Sequence, residues 1–139
     1  MDPVHELRLT LLPVLQLWQQ QLRASHPDVV VTLWDSPTGS ATDCQGHDIG
    51  LDCLLKSASP DEPDNVALSV ALKHLRTEPM IHSADVVWGH PSGHIEAELL
   101  PSPVAFSEAN LRKVAERLPV LLSALQQALL RGRPSDIIS

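Results

Sequence analysis

Between Ala84 and Leu99 the chain carries a complete β-hairpin with one apolar and one acidic face, and this stretch limits the accessible folds more than any other. Strand side chains alternate between faces, so Ala84, Val86 and Trp88 share one side while Ser83, Asp85 and Val87 share the other. On the return strand Ile95, Ala97 and Leu99 oppose His94, Glu96 and Glu98 in the same way. A loop over His90-Pro91-Ser92-Gly93 pairs Trp88 with Ile95, Val86 with Ala97 and Ala84 with Leu99. A one-residue slip would set apolar side chains opposite carboxylates, so burial selects this register. Pro91 presets φ at the first turn position and Gly93 can take a positive φ where the chain reverses.

The alternation recurs upstream. Ile49, Leu51, Cys53 and Leu55 form one apolar edge and Val66, Leu68, Val70 and Leu72 another. Pairing Leu55 with Val66 aligns the rest and sets Asp48 opposite Lys73, a favourable cross-strand pair. The β-branched run Asp28 to Trp34 predicts a further strand. Residues 35–47 and 57–64 read as polar loops, and Arg76 to Met80, with Pro79, is too short for a substantial helix. Leu7, Leu11, Val14, Leu15, Trp18 and Leu22 recur at helical spacing, and Pro13 among them predicts a kink or a helix that begins only near Leu12. His26-Pro27 ends that segment. A second apolar stripe runs from Leu111 to Leu129, with Ser107 as N-cap, Glu108 in the first turn, Pro119 as a kink, and Gly132 and Pro134 as stop signals.

The order α-β-β-β-β-β-α predicts one α+β domain over residues 1–139, with 132–139 as a frayed tail. Its antiparallel five-stranded sheet carries the N- and C-terminal helices packed on one face. The opposite face is expected to be open to water and to present Asp48, Asp52, Lys56, Ser69, Lys73, Asp85, His94, Glu96 and Glu98. At 139 residues the chain is long enough for a core without staples. Cys44 and Cys53 are too few for a disulfide framework and are expected as free thiols, although a bridge between them stays open. No apolar run reaches the roughly 18 residues of a membrane span, and Met1 to Glu6 lacks the basic segment of a signal peptide, so a cytoplasmic location is expected without membrane contact.

Charge is distributed unevenly. Residues 28–98 hold twelve acids and three bases, a net of −9, whereas the segment from Ser107 holds three acids and five bases, a net of +2; residues up to Pro27 balance, which recovers the overall −7. An acidic sheet repels phosphate, which argues against a nucleic-acid partner. The six glycines are dispersed and form no phosphate-binding loop. Asp61, Glu62 and Asp64 lack the ligand spacing of a calcium loop.

The sharpest chemical alternative is a metal site at the hairpin turn. His90, His94 and Glu96 supply two imidazoles and a carboxylate, with His82 or His47 as a fourth ligand, although the spacing fits no established zinc signature. Ser92 lies between two histidines but lacks a strand-turn-helix setting, and Cys44 with His47 lacks an orienting carboxylate and an oxyanion hole, so neither builds a nucleophile. Glu96 and Glu98 lack the aromatic platform of a sugar site. The leucine stripe of the last helix is core, with a surplus that suits a helix pair or homodimer seam.

The expectation is therefore a small acidic non-enzymatic protein-binding module of the bacterial cytoplasm. It docks a basic protein partner through Asp52, Asp85, His94, Glu96 and Glu98, with no cofactor and no resident metal. In size and charge it is similar to toxin-immunity proteins and type III secretion chaperones, at the level of fold analogy. It departs from those chaperones where Arg76 to Met80 leaves no room for a helix between the third and fourth strands. The alternative is a small metal-dependent enzyme or ligand-binding domain built on the His90, His94 and Glu96 turn.

Overall fold

The computed structural model describes residues 2–38, 46–55, 65–75, 78–89 and 93–131. Helix α1 (Pro3–Ser25) precedes strands β1 (Val29–Thr38), β2 (Gly46–Leu55), β3 (Asn65–Leu75), β4 (Glu78–Trp88) and β5 (His94–Glu98), a two-residue β6 (Val104–Ala105), and helix α2 (Glu108–Arg131). The strands form one antiparallel meander in the order β1-β2-β3-β4-β5, and β6 pairs with β4 beyond the end of β5. This is the expected α+β arrangement, with β6 as an added strand.

Both helices cover one face. Rows of directly paired residues cross that face: Leu33, Leu51, Leu68, Val86 and Ala97 in one, and Val31, Cys53, Val66, Trp88 and His94 in the next. Leu7, Leu11, Leu15, Trp18 and Leu22 of α1 and Leu111, Val114, Leu118, Leu121 and Leu125 of α2 complete a single core with them. Helix α1 lies against β1 and β2, and α2 against β3, β4 and β5. Each apolar stripe on the helices thus meets an aliphatic row on the sheet.

The helix ends follow from local chemistry. Asp2 accepts a hydrogen bond from the Val4 N–H at 3.1 Å, and Pro3 occupies the first turn, where its missing N–H costs nothing. Ser107 Oγ accepts from the Asn110 N–H at 3.0 Å, as its N-cap position predicts. Helix α1 runs unbroken through Pro13, so its start is Pro3 and not Leu12. Pro13 and Pro119 both lie on the exposed side of their helices, where water can reach the carbonyl each one leaves unpaired.

The extents of two strands and the registers of two hairpins differ from expectation. β1 continues to Thr38 and β2 begins at Gly46, so strand replaces much of the expected loop over 35–47. The β2–β3 ladder is shifted by two residues: Cys53 faces Val66, Leu51 faces Leu68, Ile49 faces Val70, and Asp48 faces Ala71, not Lys73. A two-residue slip keeps every side chain on its face, so alternation alone cannot fix it. In the β4–β5 hairpin Val86 does face Ala97, but a bulge inserts Glu96, and Ile95 then faces Val87 while His94 faces Trp88. A second bulge inserts His82 between Ile81 and Ser83 of β4, opposite Ala71 and Leu72. Glu78, Pro79 and Met80 belong to β4, and Leu75 pairs with Glu78.

β1 is an edge strand. Part of its edge is occupied by α1, because the Val31 carbonyl accepts from Gln19 Nε2 and from an Arg23 guanidinium N–H, each at 3.2 Å. Pro37 removes a further donor from the same strand.

Truncating Leu68, fully buried at the centre of the sheet, to Ala is expected to lower unfolding free energy by about 2–5 kcal/mol. Leu130→Ala, at a side chain that is 75% exposed, is expected to change it by less than about 0.5 kcal/mol. Urea unfolding of the two variants beside the parent checks both.

Candidate functional site

The helix-free face of the sheet has its own cross-strand rows. One reads Trp34, Gly50, Ser69, Asp85 and Glu98; its neighbours read Thr32, Asp52, Ala67, Val87 and Ile95, and Ser36, Asp48, Ala71 and Ser83. Large or charged side chains stand on the outer strands, and small ones on β3. Ala67, Ser69 and Ala71 are consequently buried, at 0%, 4% and 6% exposure, although no helix covers them. The expectation of a uniformly solvated face is corrected here: its centre is a floor of small residues shielded by taller neighbours.

Gly50 is required in this floor. A Cβ there would stand 2.0 Å from the Leu68 carbonyl oxygen and 3.0 Å from Trp34 Cζ2, so the indole lies across a position no side chain can occupy. Trp34, Thr32, Ser36, Thr38, Asp48, Asp52 and Asn65 line an open cavity of about 470 Å³. Asn65 Nδ2 donates to Asp52 Oδ1 at 2.9 Å and orients that carboxylate. Lys73 is the described cation on this face, and His82 stands near it and Asp48. Burial and the Lys73 charge depress the His82 pKa, partly offset by Asp48.

The five expected docking residues divide between the two faces. Asp52, Asp85 and Glu98 lie on the helix-free face. His94 faces Trp88 on the core side, and Glu96 pairs with Arg131 at the end of α2. The inserted residue in β5 is the cause: alternation predicts Glu96 outward and Ile95 inward, and the bulge exchanges them. Ile95 is accordingly 52% exposed. His94 and Glu96 therefore belong to a different surface from Asp52, Asp85 and Glu98.

For the metal reading, no group of three or more His, Cys, Asp or Glu converges among the described residues. Glu96 is engaged by Arg131, and His90 lies outside the described residues, as do Cys44, Lys56 and Ser92. Cys53 is a free thiol buried on the core side, and burial together with the Asp52 charge pushes its pKa up to about 12.

A second polar cluster escaped sequence reasoning. Asp35 lies on the core side of β1, where Arg8 of α1 donates Nε–H to Oδ2 at 2.7 Å and His47 of β2 bonds Oδ1. His47 is nearly buried. Burial alone would raise the Asp35 pKa, but the bonds from His47 and Arg8 and their charge outweigh it and hold the carboxyl below its ordinary value. The cluster closes one end of the α1–sheet interface. Its sequence signal was the odd placement of an acid and a histidine at core-facing strand positions, which shows only once the strands are extended to Thr38 and Gly46.

The chain matches no protein-family model, no curated protein and no solved structure. Any functional reading therefore rests on its own residues.

Because Asp35 ionises more readily in the folded state, its network adds stability above the unfolded carboxyl pKa of about 3.9, and that stability is lost as pH falls through the lower folded value. Asp35→Asn is expected to lower stability by about 1–3 kcal/mol at pH 7 and to flatten the acid limb of the stability profile, read by urea unfolding between neutral and acid pH. In a Cys44→Ser background, Cys53 is expected to resist iodoacetamide at pH 8 in the folded protein and to react once urea is added, as mass spectrometry would show.

Proposed function

We propose that the protein is a non-enzymatic binding module of the cytoplasm that docks a basic segment of a protein partner on its helix-free sheet face. The observation that carries this reading is the row in which Asp85 and Glu98 stand directly opposite each other. Carboxylates gathered on one face of the sheet attract a cationic partner and steer its approach. Asp48 and Asp52 extend the same field, and Lys73 is the single described cation within it. The shielded floor of Gly50, Ala67, Ser69 and Ala71 supplies a shallow seat, flanked by exposed apolar side chains at Val30 and Ile95.

The helix layer carries the contrasting charge, with Arg8, Arg23, Arg112, Lys113, Arg117 and Arg131 against Glu6, Glu108 and Glu116. Such a molecule orients itself in the field of a basic partner and presents the sheet first. Among the described residues, no helix is long and apolar enough to cross a membrane. A bacterial source and a role of the immunity or secretion-chaperone type agree with size and charge and remain part of the proposal.

Calorimetric titration with a lysine- and arginine-containing polypeptide tests the reading. The expected result is salt-dependent binding that falls at least tenfold in the triple variant Asp52→Lys, Asp85→Lys, Glu98→Lys, with an unchanged melting profile. Reversal of Glu6, Glu108 and Glu116 on the helices is expected to leave binding within about twofold. Equal losses from both sets would overturn the proposal, because attraction would then follow net charge and no particular face.

A further inference from the structure

We infer that the cavity beside Trp34 receives an arginine side chain of the basic partner; this rests on the docking face proposed above and names its anchor. Three observations converge on one place. The indole of Trp34 lies across Gly50, in a position kept clear by the absence of a side chain there. Asp48 and Asp52 stand two residues to either side of Gly50 on the same strand and the same face, so a carboxylate flanks the indole on each side at about 7 Å along the strand. Asn65 holds Asp52 in place by its 2.9 Å hydrogen bond, so one of the two carboxylates is oriented before any ligand arrives.

An aromatic ring between two carboxylates selects a cation over a neutral group. The ring attracts positive charge to its face and the acids attract it from the sides. The cavity, about 470 Å³ and open to solvent, is larger than an ammonium head needs and admits a planar group with its aliphatic stem. A guanidinium meets these demands together: it stacks on indole, is weakly hydrated, and offers N–H donors in a fork that matches a carboxylate. An ammonium satisfies the charge but neither the stacking nor the fork. Thr32 adds a hydroxyl on the wall formed by β1.

The buried location of the other two indoles makes the test specific. Trp18 and Trp88 are in the core, so Trp34 alone should report a ligand on the sheet face. The experiment follows the three indole N–H signals by ¹H–¹⁵N NMR, assigned with Trp34→Phe, while the protein is titrated with end-blocked peptides that differ only in carrying arginine, lysine or citrulline. The expected result is a saturable shift of the Trp34 signal with the arginine peptide, at least threefold tighter than with lysine, and none with citrulline. Calorimetry should then show about a fivefold loss in Trp34→Ala and a similar loss in Asp52→Asn.

A Trp34 signal that stays fixed while backbone signals at Asp85 and Glu98 move would overturn the arginine cavity and leave the acidic face standing. Equal response to lysine and arginine would overturn the choice of guanidinium. If no signal on the helix-free face moves with either basic peptide, the cavity and the docking face fall together.

Discussion

The structure depends on the meeting of two apolar surfaces: the aliphatic rows on one side of the sheet and the leucine stripes of α1 and α2. Leu33, Leu51, Leu68 and Val86 stand in line across four strands, and the helices supply Leu11, Leu15, Leu118 and Leu121 to the same core. Aromatic residues are scarce, so this contact is made of branched aliphatic side chains, whose burial supplies the dominant driving force. Everything polar on the sheet is displaced from that contact, either to the opposite face or to its ends. The acidic face is thus a consequence of where the helices sit.

Two carboxylates on the helix side are paired with cations of other elements. Asp35 ties β1 to Arg8 of α1 and to His47 of β2, and Glu96 ties β5 to Arg131 of α2. Each helix is therefore fixed at an end of the sheet by one guanidinium-carboxylate contact, in addition to its apolar stripe. Such contacts add geometry more than raw stability, because exposed ion pairs contribute little while oriented ones fix where an element docks.

Much of the architecture was legible because period-two alternation in four strands and helical spacing at each end all demanded the same single core. Ser107 announced its helix by a cap, and His26-Pro27 announced the end of α1. What alternation could not resolve was displacement that preserves it, hence the two-residue slip between β2 and β3. Nor could it resolve the bulges at His82 and Glu96, since an inserted residue has no composition of its own and is set by how neighbouring strands twist and terminate. The candidate site inherited that error. Asp52 lies in a strand without a bulge, and Asp85 and Glu98 pair beyond the bulges of β4 and β5, so all three fall on the expected face, whereas His94 and Glu96, at or before the β5 bulge, do not. Trp34 was hidden for another reason: its importance comes from Gly50 on the next strand, a relation that exists only across a ladder.

The meander has an effect on how the molecule comes into being. From β2 to β5 each strand joins the one synthesised just before it, and the two-residue β6 returns to β4, so the sheet can grow largely in the order of synthesis. The first helix is available from the outset to shelter β1 and β2. The shelter for β3, β4 and β5 is α2, which is synthesised after them. A nascent chain lacking that final helix carries the most aliphatic strands of the protein, Val66 to Leu72 above all, with one side uncovered. Helix α2 therefore acts as the step that covers an adhesive intermediate, leaving uncovered among the described strands the face that bears Asp52, Asp85 and Glu98.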